Sequence, residues 1–93
     1  MSYRLVFTYG YTRRATRFIR SHPELLSQYG KVLRLLEQDP FHPALRLHKL
    51  KGRCKDLHAV SINIRYRVTL LLLMTEQEII PVNIGSHDEV YRG

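Results

Sequence analysis

Polar and apolar positions alternate over residues 3–9, with Tyr3, Leu5 and Phe7 on one side of an extended chain and Arg4, Val6 and Thr8 on the other. A period of two in strand-forming side chains predicts a first β-strand. After Gly10 the period lengthens: Ala15, Phe18 and Ile19 fall at helical spacing while Arg13, Arg14, Arg17 and Arg20 point the other way. This predicts a short amphipathic helix capped by Thr12. Ser21 and Glu24, three apart around His22 and Pro23, read as the capping box of a second helix. Leu25, Tyr29, Val32, Leu33 and Leu36 carry its apolar face to about residue 38, and Asp39 and Pro40 end it. Residues 41–47, with Pro43, read as an extended connection.

Two strands follow as a hairpin. His58, Val60 and Ile62 share one face of the first, and Tyr66, Val68, Leu70 and Leu72 share one face of the second, with a turn at 63–65. The second strand is apolar on both faces at its far end, which predicts a central place in a sheet. A turn at 75–77 leads to a last strand carrying Ile80, Val82 and Ile84, where Pro81 marks an edge or a bulge. The chain therefore predicts an α+β fold: an N-terminal strand, a helix hairpin, then a three-stranded antiparallel meander, giving a four-stranded sheet with helices on one face.

Ninety-three residues suffice for one domain, 1–93, that folds without metal or disulfide staples. The longest apolar run, 68–74, is far shorter than the roughly 20 residues of a membrane span, so no membrane span is expected. Nothing near the N-terminus resembles a signal peptide, and the single cysteine, Cys54, fits a reducing compartment, so the expected location is cytoplasmic.

Charge changes the picture more than composition does. The net charge is +7, which favours a nucleic acid, a membrane surface or an acidic protein as partner. Arg46, Lys49, Lys51, Arg53, Lys55, Arg65 and Arg67 stand in one segment against the single acid Asp56. Such a cluster suits a phosphate backbone, whose counterions it would release, or is a solvated basic loop.

Five histidines, at 22, 42, 48, 58 and 87, show no metal-ligand spacing with one another or with Cys54, so neither metal nor cofactor is expected. His22 and His42 adjoin prolines and read as surface residues, and His58 reads as a satisfied, partly buried strand residue. His48 and His87 lie at strand borders beside cationic or polar neighbours, a setting that suits either a functional or a purely structural histidine. The ending PVNIGSHDEVYR sets His87 and Tyr91 just past a strand, where a rigid sheet can hold them within reach of solvent. No nucleophile elbow or glycine-rich phosphate loop is present. RNA cleavage needs less: a base for the 2′-OH, an acid for the leaving oxygen, and cations for the phosphate.

The order of elements and the strings LHKLKG (47–52), IRYRV (64–68) and IGSHDEVY (84–91) together resemble the RelE/ParE toxin superfamily, nearest to its RelE and YafQ branches, over essentially the whole chain. The resemblance implies the RelE-like fold just described. It also implies a metal-independent mRNA endoribonuclease acting on the ribosome, the toxin of a type II toxin–antitoxin system neutralised by a cognate antitoxin protein. On it, Arg67 matches the strand arginine that contacts the scissile phosphate. Tyr91 matches the terminal aromatic, His87 the histidine of the YafQ-like ending, and His48 the histidine before the Leu-x-Gly. Lys49 and Lys51 fall where RelE-like members concentrate lysines for mRNA and ribosomal RNA, with Arg53, Lys55 and Arg65 nearby as further RNA contacts. Ser61 stands where YafQ-like members have a histidine and Arg65 where they have an aspartate, so the implied site is a hybrid. The superfamily also contains ParE-like gyrase inhibitors, and a nonenzymatic RNA-binding module is a third reading of the same fold.

Overall fold

The computed structural model describes residues 2–92, with every side chain among them except those of Arg53 and Arg92. Its elements are β1 (Arg4–Leu5), α1 (Tyr9–Ser21), α2 (Leu26–Gln38), β2 (His48–Lys49), β3 (His58–Ser61), β4 (Tyr66–Leu73), β5 (Glu78–Ser86) and α3 (His87–Arg92). The α+β class and the helix hairpin are as expected.

The helix faces follow their apolar spacing. Ala15 of α1 and Val32 and Leu36 of α2 are buried, while Arg13, Arg14, Arg17 and Arg20 are exposed. The helix starts are corrected. Thr8, not Thr12, caps α1, its hydroxyl accepting from the Tyr11 N–H at 3.1 Å. The expected strand over residues 3–9 therefore shrinks to Arg4–Leu5, because the cap begins a helix at Tyr9. Ser21 and Glu24 form no capping box; a 3-10 turn, Pro23–Leu25, precedes α2 with no side-chain cap. A second 3-10 turn, Pro43–Leu45, interrupts the expected extended connection.

The sheet has the order β1-β5-β4-β3-β2. The meander β3-β4-β5 is antiparallel and β4 is central, as its two apolar faces require. The two-residue β2 adds a fifth strand, and β1 pairs parallel to β5, so the sheet is mixed rather than a purely antiparallel set of four. Pro81 sits where the β4–β5 register shifts: Thr69 pairs with Asn83 and Leu70 with Pro81, leaving Val82 as the extra residue of a bulge. The carbonyl of Val82 accepts from Arg14 of α1 at 2.8 Å.

Alternation along β4 sorts the two faces. Val68 and Leu70 join Tyr11, Ala15, Val32, Leu36, Val60 and Ile79 in the core beneath α1 and α2. Arg67 and Thr69 face the other way, and α3 covers part of that second face. Leu50, Ala59 and Val90 are buried there, outside the main core. Close approach of α3 requires Gly85, since a Cβ on it would lie 3.2–3.4 Å from the Glu89 side chain.

Candidate functional site

The chain end is not a tail. Ser86 and Glu89 form a reciprocal capping box: the Ser86 N–H donates to Glu89 Oε1 at 2.9 Å, and the Glu89 N–H to Ser86 Oγ at 3.3 Å. These bonds, the backbone N–H of Ser86 foremost, hold the Glu89 carboxyl below its ordinary range. The box turns the chain back across the second sheet face, Val90 enters a buried position, and Tyr91 arrives beside the edge strand β2.

There the Tyr91 hydroxyl lies 2.8 Å from His48 Nε2. His48 Nδ1 lies 3.0 Å from the Arg46 carbonyl. A carbonyl only accepts, so Nδ1 carries the proton, and in the neutral ring Nε2 must accept from the Tyr91 O–H. On the other side of Tyr91 stands His87, ring centroids 4.0 Å apart and edge to face. His87 remains 59% exposed, with Nδ1 3.6 Å from Asp88 Oδ1. The three side chains form one row, His48, Tyr91, His87.

Register places Arg67 on this face. His48 pairs with Ala59, which pairs with Thr69; one step along, Ser61 and Gly85 flank Arg67. Arg67 NH1 donates to the carbonyls of Ile64 at 3.0 Å and Tyr66 at 3.1 Å, and at the closest approach to that of Asn63. Burial raises the Tyr91 phenol above its ordinary pKa, and the nearby Arg67 charge opposes the rise. The structure thus brings together His48, Arg67, His87 and Tyr91 on one sheet face.

The basic residues divide. Lys49 and Lys51 line, with His48, Leu50, Cys54 and Tyr91, a cavity of about 340 Å³ beside the row. Lys55 is exposed, and the Arg53 side chain lies outside the described residues. Arg65 stands over the Tyr66 ring at 5.6 Å.

Two of the other histidines differ from their sequence reading. His22 is not a plain surface residue: it stacks on Phe18 with centroids 4.4 Å apart, its Nδ1 lies 2.9 Å from the Phe18 carbonyl, and its Nε2 lies 3.1 Å from the Tyr66 hydroxyl. His58 is partly buried, but its Nδ1 has no hydrogen-bond partner; burial first, then the Lys49 and His48 charges, push its pKa down. Among the described residues no group of three or more His, Cys, Asp or Glu side chains could hold a metal ion, and no helix is long and apolar enough to cross a membrane.

Sequence reasoning missed Arg46 and the capping box. Ser86-x-x-Glu89 was the available signal for the box. Arg46 had none beyond its charge, because its left-handed backbone, φ 52°, is invisible in a sequence.

No family model matches the sequence, and no curated protein matches it significantly. Solved structures do resemble the fold. E. coli YafQ aligns with a TM-score of 0.77 at 9% identity, over 96% of this chain and 98% of that one. The E. coli DinJ-YafQ toxin-antitoxin complex aligns at 0.76 and 11%, over 98% and 99%. The YoeB/ParE toxin from Agrobacterium tumefaciens aligns at 0.71 and 17%, over 90% and 98%. Over nine-tenths or more of its length the chain shares the RelE/YafQ-like fold of these toxins.

Proposed function

We propose that this chain is the toxin of a type II toxin–antitoxin pair and cleaves mRNA on the ribosome. The observation that carries the reading is the row His48, Tyr91, His87 on the same sheet face as Arg67, in a fold shared with such toxins. In the reaction, His48 Nε2 gives up its bond from Tyr91 and takes the proton of the RNA 2′-OH as that oxygen attacks the phosphorus. Protonated His87, steadied by Asp88, gives its proton to the departing 5′ oxygen. Charge that builds on the phosphorane oxygens falls to Arg67. The P–O5′ bond breaks as the P–O2′ bond forms, leaving a 2′,3′-cyclic phosphate and a 5′-OH. Tyr91 holds the tautomer and position of His48 before attack and offers its ring to a base.

An antitoxin belongs to the same reading. The E. coli relative is solved as a toxin–antitoxin complex, and here α1 and α2 frame an apolar groove of about 630 Å³, with Phe7 47% and Leu26 59% exposed beside it. An exposed apolar surface of this kind calls for a covering partner. A stable monomer with no affinity for the product of the adjacent gene would contradict this part.

The test is primer extension on mRNA after induced expression, wild type beside His87→Ala. Cuts ending in 2′,3′-cyclic phosphate, present in the wild type and lost in the variant, are the expected result. Unimpaired translation in the presence of folded, antitoxin-free protein overturns the reading.

A further inference from the structure

Apart from the lysine-lined cavity, another of about 230 Å³ lies between the Pro43–Leu45 turn and the β3–β4 turn. Arg46, Ser61, Asn63, Ile64 and Arg67 are among the residues lining it, and no carboxylate is. Two arginines border a small polar space whose lining holds no acid. Arg67 spends NH1 on the carbonyls of its own turn; among the described residues nothing engages its Nε or NH2. That remaining edge is the planar fork that matches two oxygens of a phosphate. Arg46 holds a left-handed backbone, φ 52°, rare for a side chain of its size. In that conformation its carbonyl meets His48 Nδ1, and the exposed residue borders the cavity. One residue therefore sets the tautomer of His48 through its backbone and supplies a cation to the space next door. Ile64, 89% exposed at the rim, offers an apolar surface to a sugar or base.

We infer that Arg46 and Arg67 form a two-guanidinium cradle for a phosphodiester of single-stranded RNA, with Arg46 a substrate-positioning residue. The inference rests on the nuclease reading for the identity of the ligand.

The left-handed backbone supplies the test. Arg46→Gly removes the guanidinium and relieves the backbone, so it folds at least as stably as the wild type. Arg46→Lys restores a point charge without the fork. Binding of a fully 2′-O-methylated single-stranded RNA, which cannot be cut, is followed by fluorescence anisotropy from low to moderate salt. For Arg46→Gly the expected result is about a tenfold loss of affinity and a salt slope shallower by about 0.7, the value for one phosphate contact on a single strand. Arg46→Lys recovers the slope but only part of the affinity, and the melting temperature of neither variant falls. Wild-type affinity and slope in Arg46→Gly overturn the cradle. The same RNA made cleavable, supplied on translating ribosomes, separates the two claims: Arg46-dependent binding without cleavage by wild type removes the nuclease reading and leaves the cradle standing.

Discussion

Two histidine–tyrosine pairs in this molecule obey the same hydrogen-bond logic in different surroundings. In each, Nδ1 meets a backbone carbonyl, Phe18 for His22 and Arg46 for His48, so that Nε2 of the neutral ring accepts from a tyrosine hydroxyl, Tyr66 or Tyr91. The His22 pair is wedged beneath the helices: its ring stacks on Phe18, and Phe18 meets Tyr66 edge to face at 5.1 Å. The His48 pair sits at the sheet edge, with His48 exposed and Tyr91 half-buried, lining one cavity and beside a second imidazole. A tautomer is locked in both places. Only at the edge does the lock leave a basic nitrogen that a substrate can reach by displacing one hydroxyl, so accessibility and cationic neighbours, not the bond itself, set the imidazole we propose as catalytic apart from a strut.

Exchanging the losses gives the largest contrast. His48→Ala should lower mRNA cleavage about 100- to 10,000-fold, the range for a lost proton-transfer group, and leave the melting temperature near that of the wild type, since the ring is exposed. His22→Ala should do the reverse, costing about 2 kcal/mol, or on the order of 10 °C in Tm, with the cleavage rate of the folded fraction unchanged. Thermal melts and single-turnover cleavage on the same two proteins check both halves. A His22→Ala protein that folds normally and fails to cut would erase the distinction.

The tyrosines sharpen it. Tyr91→Phe keeps a ring for stacking but frees His48 Nε2, and about a tenfold loss of cleavage is expected, the size of one hydrogen bond to a catalytic group. Tyr66→Phe should cost about 1 kcal/mol of stability and nothing in rate. Equal rates for Tyr91→Phe and wild type would show that the hydroxyl does not position His48.

How much of this could be read from the chain follows from the range of each interaction. The spacing of Leu25, Val32 and Leu36, and the two apolar faces of β4, carry local periodicity and placed the hairpin and the central strand. Even the bulge at Pro81 was legible, because a missing donor has a local consequence. His22 was not: its neighbours in sequence are Ser21 and Pro23, which suggest a surface, and its partner Tyr66 lies 44 positions away. The parallel pairing of β1 with β5, 74 positions apart at Arg4 and Glu78, is hidden for the same reason. Two S-x-x-E strings compete for the capping-box reading, at Ser21 and Ser86, and only the second closes. At the first, proline at position 23 opens a 3-10 turn whose preceding residue, His22, makes no side-chain cap bond. For the site, the resemblance named His48, Arg67, His87 and Tyr91, while the shared bordering of one cavity by Arg46 and Arg67 depends on a left-handed residue that no spacing reveals.

The smallest expected effect concerns the device that closes the edge pair and has no counterpart at the half-buried His22 pair. Glu89 anchors α3 through Ser86, whose backbone N–H and then side chain depress its pKa, with a lesser contribution from His22. A carboxyl whose folded pKa lies below its unfolded value, about 4.3, contributes stability that is fully present above that value and is lost as pH falls through the folded one. The window therefore lies below about pH 4.3. Within it, protonation weakens the capping box, α3 loosens over Gly85, and Tyr91 leaves His48, while His22 and Tyr66 stay packed under the helices. Glu89→Gln separates this from histidine protonation, because the amide oxygen can still accept from Ser86 but carries no charge to lose. Ring-proton NMR from pH 7 to pH 3 should show the Tyr91 signals of the wild type moving in the acid window, those of Tyr66 holding, and Tyr91 in Glu89→Gln lacking that acid step. If Tyr66 and Tyr91 move together in both proteins, the edge pair has no separate closure, and the two regions unfold as one.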